Sequence, residues 1–244
     1  MSTPMATFLI GLDDTDNQTS RGTGHLARCL SAECAARGMR PLGVTRHQFP
    51  LDPRIPYTSH NSGACVAVEA AEERSPAAFA FDFVAARAAD GSDPGVCVAP
   101  AGAVSPEVIA FGRKAAARFV EMEEAEAVAR DAGLALRALG GTGLGVIGAL
   151  GSVALRAGGA EGRFIDLPGL RDLAERVTVD ALGRLGIRVE HRAGGRRPIP
   201  ADAVATGGWV RPRLVAGRPV LPLEWSETEN GWVPVDHKRS RTLE

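Results

Sequence analysis

An α/β or α+β fold, built on a mixed sheet with helices and carrying a small β-rich appendage at its C-terminal end, is what this sequence predicts. Through residue 190, short apolar runs of strand length alternate with segments of helical period. From Ala193 the texture changes to short apolar pairs and prolines at 198, 200, 212, 219, 222 and 234, a pattern of small strands and turns. The chain has 244 residues, 45% hydrophobic and 23% charged, enough apolar surface to fill a core without metal or disulfide staples. The sequence divides into an α/β region over 1–190, a β-rich appendage over 191–242 and an expression remnant at 243–244.

Thr7–Leu12 is an apolar run of strand length that ends on the acids Asp13, Asp14 and Asp16. After the polar loop NQTSRGTG, His25–Arg37 reads as a helix, with Leu26, Leu30 and Cys34 at i, i+4 and i+8 and Gly38 as its C-cap. Pro41–His47 reads as a strand, then a proline-rich loop leads into a further strand over Ala64–Glu69. Ser75 with Pro76, and Ser105 with Pro106, each pair an N-cap serine with proline at the first helical position. They open helices over 75–89 and 106–119, and Val96–Ala99 is a strand between them. Glu121–Ala132 reads as a polar helix, Leu134–Leu139 as a helix end, Val146–Leu155 as a helix after GGTGLG, and Leu170–Leu185 as a helix before the strand Ile187–Glu190.

Composition excludes several classes. Mean hydropathy is −0.03 and no apolar run approaches the roughly 20 residues of a membrane span. The net charge of −1 gives no global basic field for nucleic acid. The charge is uneven: residues 191–244 carry +3 and residues 1–190 carry −4. The N-terminal residues lack the basic region of a signal peptide, so a cytoplasmic protein is expected. Cys29, Cys34, Cys65 and Cys97 form no C-x-x-C pair and read as free buried thiols.

The chemistry concentrates at IGLDDTDNQTSRGTGHL, residues 10–26. Three carboxylates within four residues repel one another unless a cation or oriented backbone compensates them. Hard oxygen ligands of this kind suit Mg²⁺, which takes one or two carboxylates together with phosphate oxygens. The RGTG loop that follows (Arg21, Gly22, Thr23) can offer backbone N–H groups to an anion at the start of a helix. A solvated acidic turn is the alternative. Asp14-Thr15-Asp16 also satisfies the D-x-D start of a haloacid-dehalogenase phosphatase, but Gln18 stands where that pattern wants Thr or Val. Gly143, Gly145 and Gly148 spell G-x-G-x-x-G, yet the strand that should precede a dinucleotide-binding loop is not read there. That loop is read as a phosphate cradle or a tight packing turn. There is no P-loop motif in the sequence. His60, beside Asn61, and His25 are candidate substrate contacts; His47, His191 and His237 read as structural.

Four motifs in one order resemble the agmatidine synthetases, which modify the wobble cytidine of an isoleucine tRNA. They are Ile10–Asn17 with Arg21-Gly22-Thr23, the IPYTSHNSGA segment at 55–64, Asp93-Pro94-Gly95-Val96, and GTGLGVIGAL at 141–150. The resemblance covers roughly residues 7–190. It implies a kinase-like, ATP-binding region in which Asp13, Asp14 and Asp16 hold Mg²⁺ and the nucleotide. Thr15 would stand between them, and Gly141, Gly143 and Gly145 would shape the second loop.

The sequence departs from that family in places. Gly24-His25 replace a Thr-Thr pair, which leaves Thr23 as the nearest phospho-acceptor, and Thr58 and His60 replace a lysine and an arginine. The family's OB-fold and cysteine zinc ribbon have no counterpart among these residues. The reading is an ATP- and Mg²⁺-dependent phosphoryl- or nucleotidyl-transferring enzyme, with a non-catalytic nucleotide- or RNA-binding module as the alternative. Asp13, Asp14, Asp16, Thr23 and His60 are the expected catalytic set; Thr15, Arg21, Gly22, Thr23, Asn61, Gly141, Gly143 and Gly145 the expected nucleotide contacts. A small-molecule acceptor is preferred to tRNA. The C-terminal arginines (Arg192, Arg196, Arg197, Arg211, Arg213, Arg218) could attract RNA, and Trp209, Trp225 and Trp232 either stack bases or form the appendage's core.

Overall fold

β1 (Met5–Asp13) lies in the middle of a sheet, which is why its residues are apolar on both faces. The computed structural model describes residues 4–55, 60–71, 75–191 and 196–235. Residues 56–59 of the IPYTSHNSGA segment, Arg192, His237 and 243–244 fall outside that set. β1 pairs antiparallel with β3 (Ser62–Ala71) and β4 (Gly95–Pro100), so that Ile10 faces Val66 on one side and Val98 on the other. β2 (Arg40–Gln48) extends the sheet beyond β3, and β5 (Ala135–Ala138) closes it beyond β4.

Alternation along the strands builds two cores. Phe8, Ile10 and Leu12 face α1 (Thr23–Ala36) and α2 (Ala77–Ala85), packing with Leu26, Leu30, Phe81 and Val84. Leu9, Cys65 and Cys97 face the other way, toward α3 (Pro106–Ala117), α4 (Met122–Asp131) and α5 (Gly145–Gly158), and pack with Phe111, Ala129, Leu150 and Val153. Burial pushes the Cys34 thiol up to about 11 and that of Cys65 to about 12, as expected of inert core thiols. Gly11 lets α5 lie directly on β1, since a β-carbon there would overlap the carbonyl of Ala149.

β6 (Arg163–Asp166) pairs with β2 and with β10 (Arg213–Val215), and so carries the sheet into the C-terminal part. The order continues through β11 (Arg218–Ser226), β12 (Gly231–Pro234), β9 (Ala203–Ala205) and β7 (Arg176–Thr178), with β8 (Arg188–His191) parallel to β11. Among the described residues, twelve strands form this mixed sheet. A third core, with Phe164, Leu170, Leu182, Ile187, Leu223 and Trp232, draws on residues from both sides of position 190. Side chains alternate within β6 itself: Phe164 joins the third core and Ile165 the first.

Two elements differ from the sequence reading. Leu134–Leu139 contains strand β5, not a helix end: Gly133, at φ +65°, stops α4, and Leu134 and Leu136 then turn alternately toward the second core. A strand does therefore precede the glycine loop. It runs antiparallel to β4 at the sheet edge, so no parallel βαβ crossover of a dinucleotide fold follows. Leu170–Leu185 is not one helix but a single 3-10 turn, then β7, then the short α6 (Val179–Arg184). Pairing of Val177 and Thr178 with β9 overrides the helical period, and the Thr178 hydroxyl then caps α6 by accepting the amide of Ala181 at 3.1 Å. No helix among the described residues is long and apolar enough to cross a membrane.

Candidate active site

Asp13 is the last residue of β1 and continues the row Leu9, Gly11 that faces α5, so its carboxyl lands on that helix. Gly148 makes room for it: a β-carbon there would overlap the carboxylate. Asp14 leaves the strand at φ +50°, a left-handed conformation that aspartate tolerates better than most side chains. Asp93 N donates to the Asp14 carbonyl at 3.1 Å, and Ala89 N to that of Thr15 at 3.0 Å, so the turn is tied to the loop before β4.

Burial raises Asp13 to about 7 against the lowering by the Asp14 amide, and the negative charges of Asp14 and then Asp16 add smaller upward shifts. Burial, then Asp93 and Asp16, raises Asp14 to about 6. Asp16 is differently engaged. Its Oδ1 accepts both the amide of Thr23 at 3.0 Å and its hydroxyl at 2.8 Å, capping the start of α1. The Thr23 oxygen in turn accepts from the amide and hydroxyl of the buried Thr15, at 3.2 and 3.1 Å.

The glycine loop at 140–144 is organised by Asp93, which the sequence places in a matched motif but to which it assigns no role. The Asp93 carboxylate accepts the amides of Gly143 at 2.7 Å and Leu144 at 3.3 Å, and the hydroxyl of Thr142. Gly141 and Gly143 turn at φ +61° and +90°, and Gly145 packs its backbone against Gly95. The amides of Gly143 and Leu144 therefore serve Asp93, and the glycines serve turning and packing.

These parts open on one cleft. Asp13, Asp14, Asp16 and Thr23 line it, together with Leu144 and with Gly145, Ile147 and Gly148 at the α5 start. Phe49, Arg54, His60 and Asn61, with Arg118 and Phe119 after α3, complete it. Asn61 fastens its wall by donating Nδ2 to the Pro50 carbonyl at 2.7 Å, while its own carbonyl accepts the Phe49 amide at 2.9 Å. The Arg54 guanidinium lies 4.0 Å from the Phe119 ring centre.

Of the residues singled out in the sequence, Asp13, Asp14, Asp16, Thr23, His60, Asn61 and Gly145 thus meet at one cleft. Thr15 lies buried beneath Thr23, and Gly141 and Gly143 sit in the loop leading to Gly145. Gly22 lines a neighbouring groove, where His25 is held below its ordinary pKa by burial and by Arg21 and Arg28. Arg54, Phe49, Arg118 and Phe119 carried no motif; the proline-rich segment FPLDPRIP, which holds Phe49 and Arg54, was the signal available for the first two. No group of three or more His, Cys, Asp and Glu side chains is arranged to hold a metal ion among the described residues. A cation here would rest on one or two carboxylates, and the raised Asp13 and Asp14 are the pair that one would relieve.

A helix-covered, largely antiparallel sheet with an acid pair at the end of its central strand, set against a glycine-rich helix start, defines the class of this protein. The agmatidine-synthetase resemblance read from the motifs extends to the three-dimensional structure. Over 61% of this chain and 36% of the other, it is similar to the crystal structure of a tRNA fluorescent labeling enzyme, with 25% identity and a TM-score of 0.51. It is likewise similar to TiaS in its complex with an isoleucine tRNA and ATP, with 26% identity and a TM-score of 0.50 over 61% of this chain and 36% of that one. Apo TiaS, a tRNA agmatidine synthetase, matches in fold at 24% identity and a TM-score of 0.50, over 61% of this chain and 35% of that one. The chain thus spans about a third of the length of the solved structures it matches. No protein-family model and no curated protein matches it.

Proposed function

We propose that the chain is an ATP-dependent phosphoryl- or nucleotidyl-transferring enzyme, with the acidic cleft as its nucleotide site. One observation carries the reading: the acids after β1, His60-Asn61 and the start of α5, far apart in sequence, line one cleft. The solved structure of a tRNA- and ATP-bound TiaS supports ATP as the donor. Asp13 and Asp14 are the residues that would hold Mg²⁺, since a divalent cation would compensate two carboxylates whose ionisation burial and neighbouring acids oppose. Bound there, Mg²⁺ would neutralise phosphate charge.

The chain's own groups do the rest. Arg118 brings positive charge to the lining, Arg54 is paired with Asp52 at 2.7 Å, and Phe49 and Phe119 add apolar surface. Thr23, its proton toward Asp16 and its oxygen accepting from Thr15, positions the α1 start; we assign it no nucleophilic step. In phosphoryl transfer an acceptor oxygen or nitrogen bonds to the γ-phosphorus, the bond to the bridging oxygen breaks, and ADP leaves. His60 stands where the cleft meets the neighbouring groove and is placed to take the acceptor's proton. The sequence preference for a small acceptor over tRNA has no support from the structural neighbours. Calorimetry with Mg·ATP, beside an assay for ADP or AMP release over a panel of acceptors including bulk tRNA, tests the proposal. Binding with release supports it; binding without release from any acceptor favours a non-catalytic module, and no binding removes both.

A further inference from the structure

Beside the acidic cleft, sharing Asp16, Thr23, His60 and Ser62 with it, runs a broader groove bounded by α1, β2, β6 and β10. Six arginines line it: Arg28, Arg46, Arg163, Arg171, Arg211 and Arg213. The carboxylates in its lining are Asp16 and Glu161, so the groove is strongly cationic in a chain whose net charge is −1. Several of these guanidinium groups rest on neutral partners. Arg28 donates to the Gly24 carbonyl at 3.2 Å, Arg171 to that of Ile165 at 3.0 Å, and Arg46 to Ser62 Oγ at 2.9 Å. Arg171 and Arg211 both lie over the Trp209 ring, at 5.2 and 4.3 Å from its centre.

The set is electrostatically incomplete. Burial and then Arg171 lower Arg28 from its ordinary pKa, and burial and then Arg211 lower Arg46, with Asp166 and Asp16 opposing only in part. Arg211 Nε and Trp209 Nε1 are buried N–H donors without a hydrogen-bond partner among the described residues. An anion seated among these guanidinium groups would offset their mutual repulsion.

The same residues discriminate among anions. Single-stranded RNA is held by open aromatic faces on which bases stack. Here the Trp209 ring already carries two guanidinium groups, the Trp225 ring has Arg196 over it at 4.0 Å, and Trp232 is core. A cationic amine would be repelled. Compact, partly buried guanidinium pairs suit a compact dianion.

Resting on the reading of the acidic cleft as the ATP site, we propose that this groove binds the acceptor, and that the acceptor is a small phosphomonoester. Arg46 with Arg211, and Arg28 with Arg171, seat its phosphate, and its reactive group points toward His60 and Thr23 at the junction.

The test uses the full chain in EDTA, where the acidic cleft has no cation to attract anions, and titrates inorganic phosphate and ribose 5-phosphate. Saturable binding of both is expected, weakened about tenfold or more by Arg46→Gln with Arg211→Gln. Arg28→Gln with Arg171→Gln provides a second variant should the first not fold. A non-hydrolysable ATP analogue with Mg²⁺ is titrated in parallel and should bind wild type and variants alike. Phosphate binding that the variants lose, without any nucleotide binding, retains the anion site and removes only the ATP reading. Absent phosphate binding, or affinity unchanged in both variants, overturns the proposal. So does a single-stranded RNA oligomer that outcompetes ribose 5-phosphate with an affinity falling steeply with salt.

Discussion

The carboxyl of Asp13 rests on Gly148, so the end of the central strand and the first turn of α5 share one contact surface. Asp13 is thereby pressed into a low-dielectric position, and that burial is the main cause of its raised pKa, with the charges of Asp14 and Asp16 adding to it.

Gly148→Ala should disrupt the site by sterics alone, since the new methyl group would overlap the carboxylate. A loss of about 1–3 kcal/mol in urea unfolding is expected, the usual cost of overpacking. Gly183→Ala is the control: Gly183 lies in α6 with open space around its Cα, and the change should stabilise by about 0.5 kcal/mol. Equal effects of the two substitutions would contradict the close packing at Gly148.

Asp14→Asn should lower the affinity for Mg·ATP about tenfold or more by removing one oxygen charge. It should leave the metal-free protein as stable as wild type or more so at pH 8, because it deletes a repelling carboxylate. Calorimetry and thermal melting on the same samples separate the two effects.

pH acts on the acid pair with a definite sign. Asp13 and Asp14 rise from 3.8 to about 7 and about 6 in the folded chain. Their contribution is fully present below pH 3.8 and is lost as pH rises through 6 to 7, at about 1.4 kcal/mol per pKa unit before partial exposure and coupling reduce it. Added Mg²⁺ with ATP should therefore raise Tm more at pH 8 than at pH 5; an equal rise would argue against these acids as the cation's seat.

His47 supplies the opposite slope. Its imidazole is buried, 2.8 Å from Thr45 Oγ1, and burial lowers it from 6.5 to about 3. The stability from keeping it neutral is present above pH 6.5 and is lost as pH falls toward 3. In His47→Gln, the fall of the urea midpoint between pH 6.5 and pH 4 should flatten relative to wild type.

Asp93→Ala should free the loop at 140–144, leaving the Gly143 and Leu144 amides without their carboxylate. About 2 kcal/mol of destabilisation is expected for a charged acceptor lost from part-buried amides. Faster amide exchange at Gly143 and Leu144 would report it directly.

The sequence made β1 and α1 legible because a buried strand and an amphipathic helix each impose their own period, and the residues after β1 could be named as a charged cluster. It did not reveal that Asp16 caps α1 through Thr23, or that Asp93 holds the glycine loop. Both are single side chains whose partners lie seven and about fifty residues away. β7 escaped notice because Leu170–Leu185 has helical spacing, and only β9, nearly thirty residues later, makes Val177 and Thr178 a strand. Arg54 meets Phe119, next to Arg118, across more than sixty residues of sequence, an encounter that no local pattern encodes.

β6 is four residues long and sends Phe164 into one core and Ile165 into another. A segment so short cannot detach from one side while staying ordered on the other, so it acts as a thermodynamic coupler. Loosening of the C-terminal strands withdraws Phe164's neighbours, and through the shared backbone it weakens the seat of Ile165 beside α1. The two halves should accordingly melt as one cooperative unit, and the arginine groove, which spans that splice, exists only while both are folded.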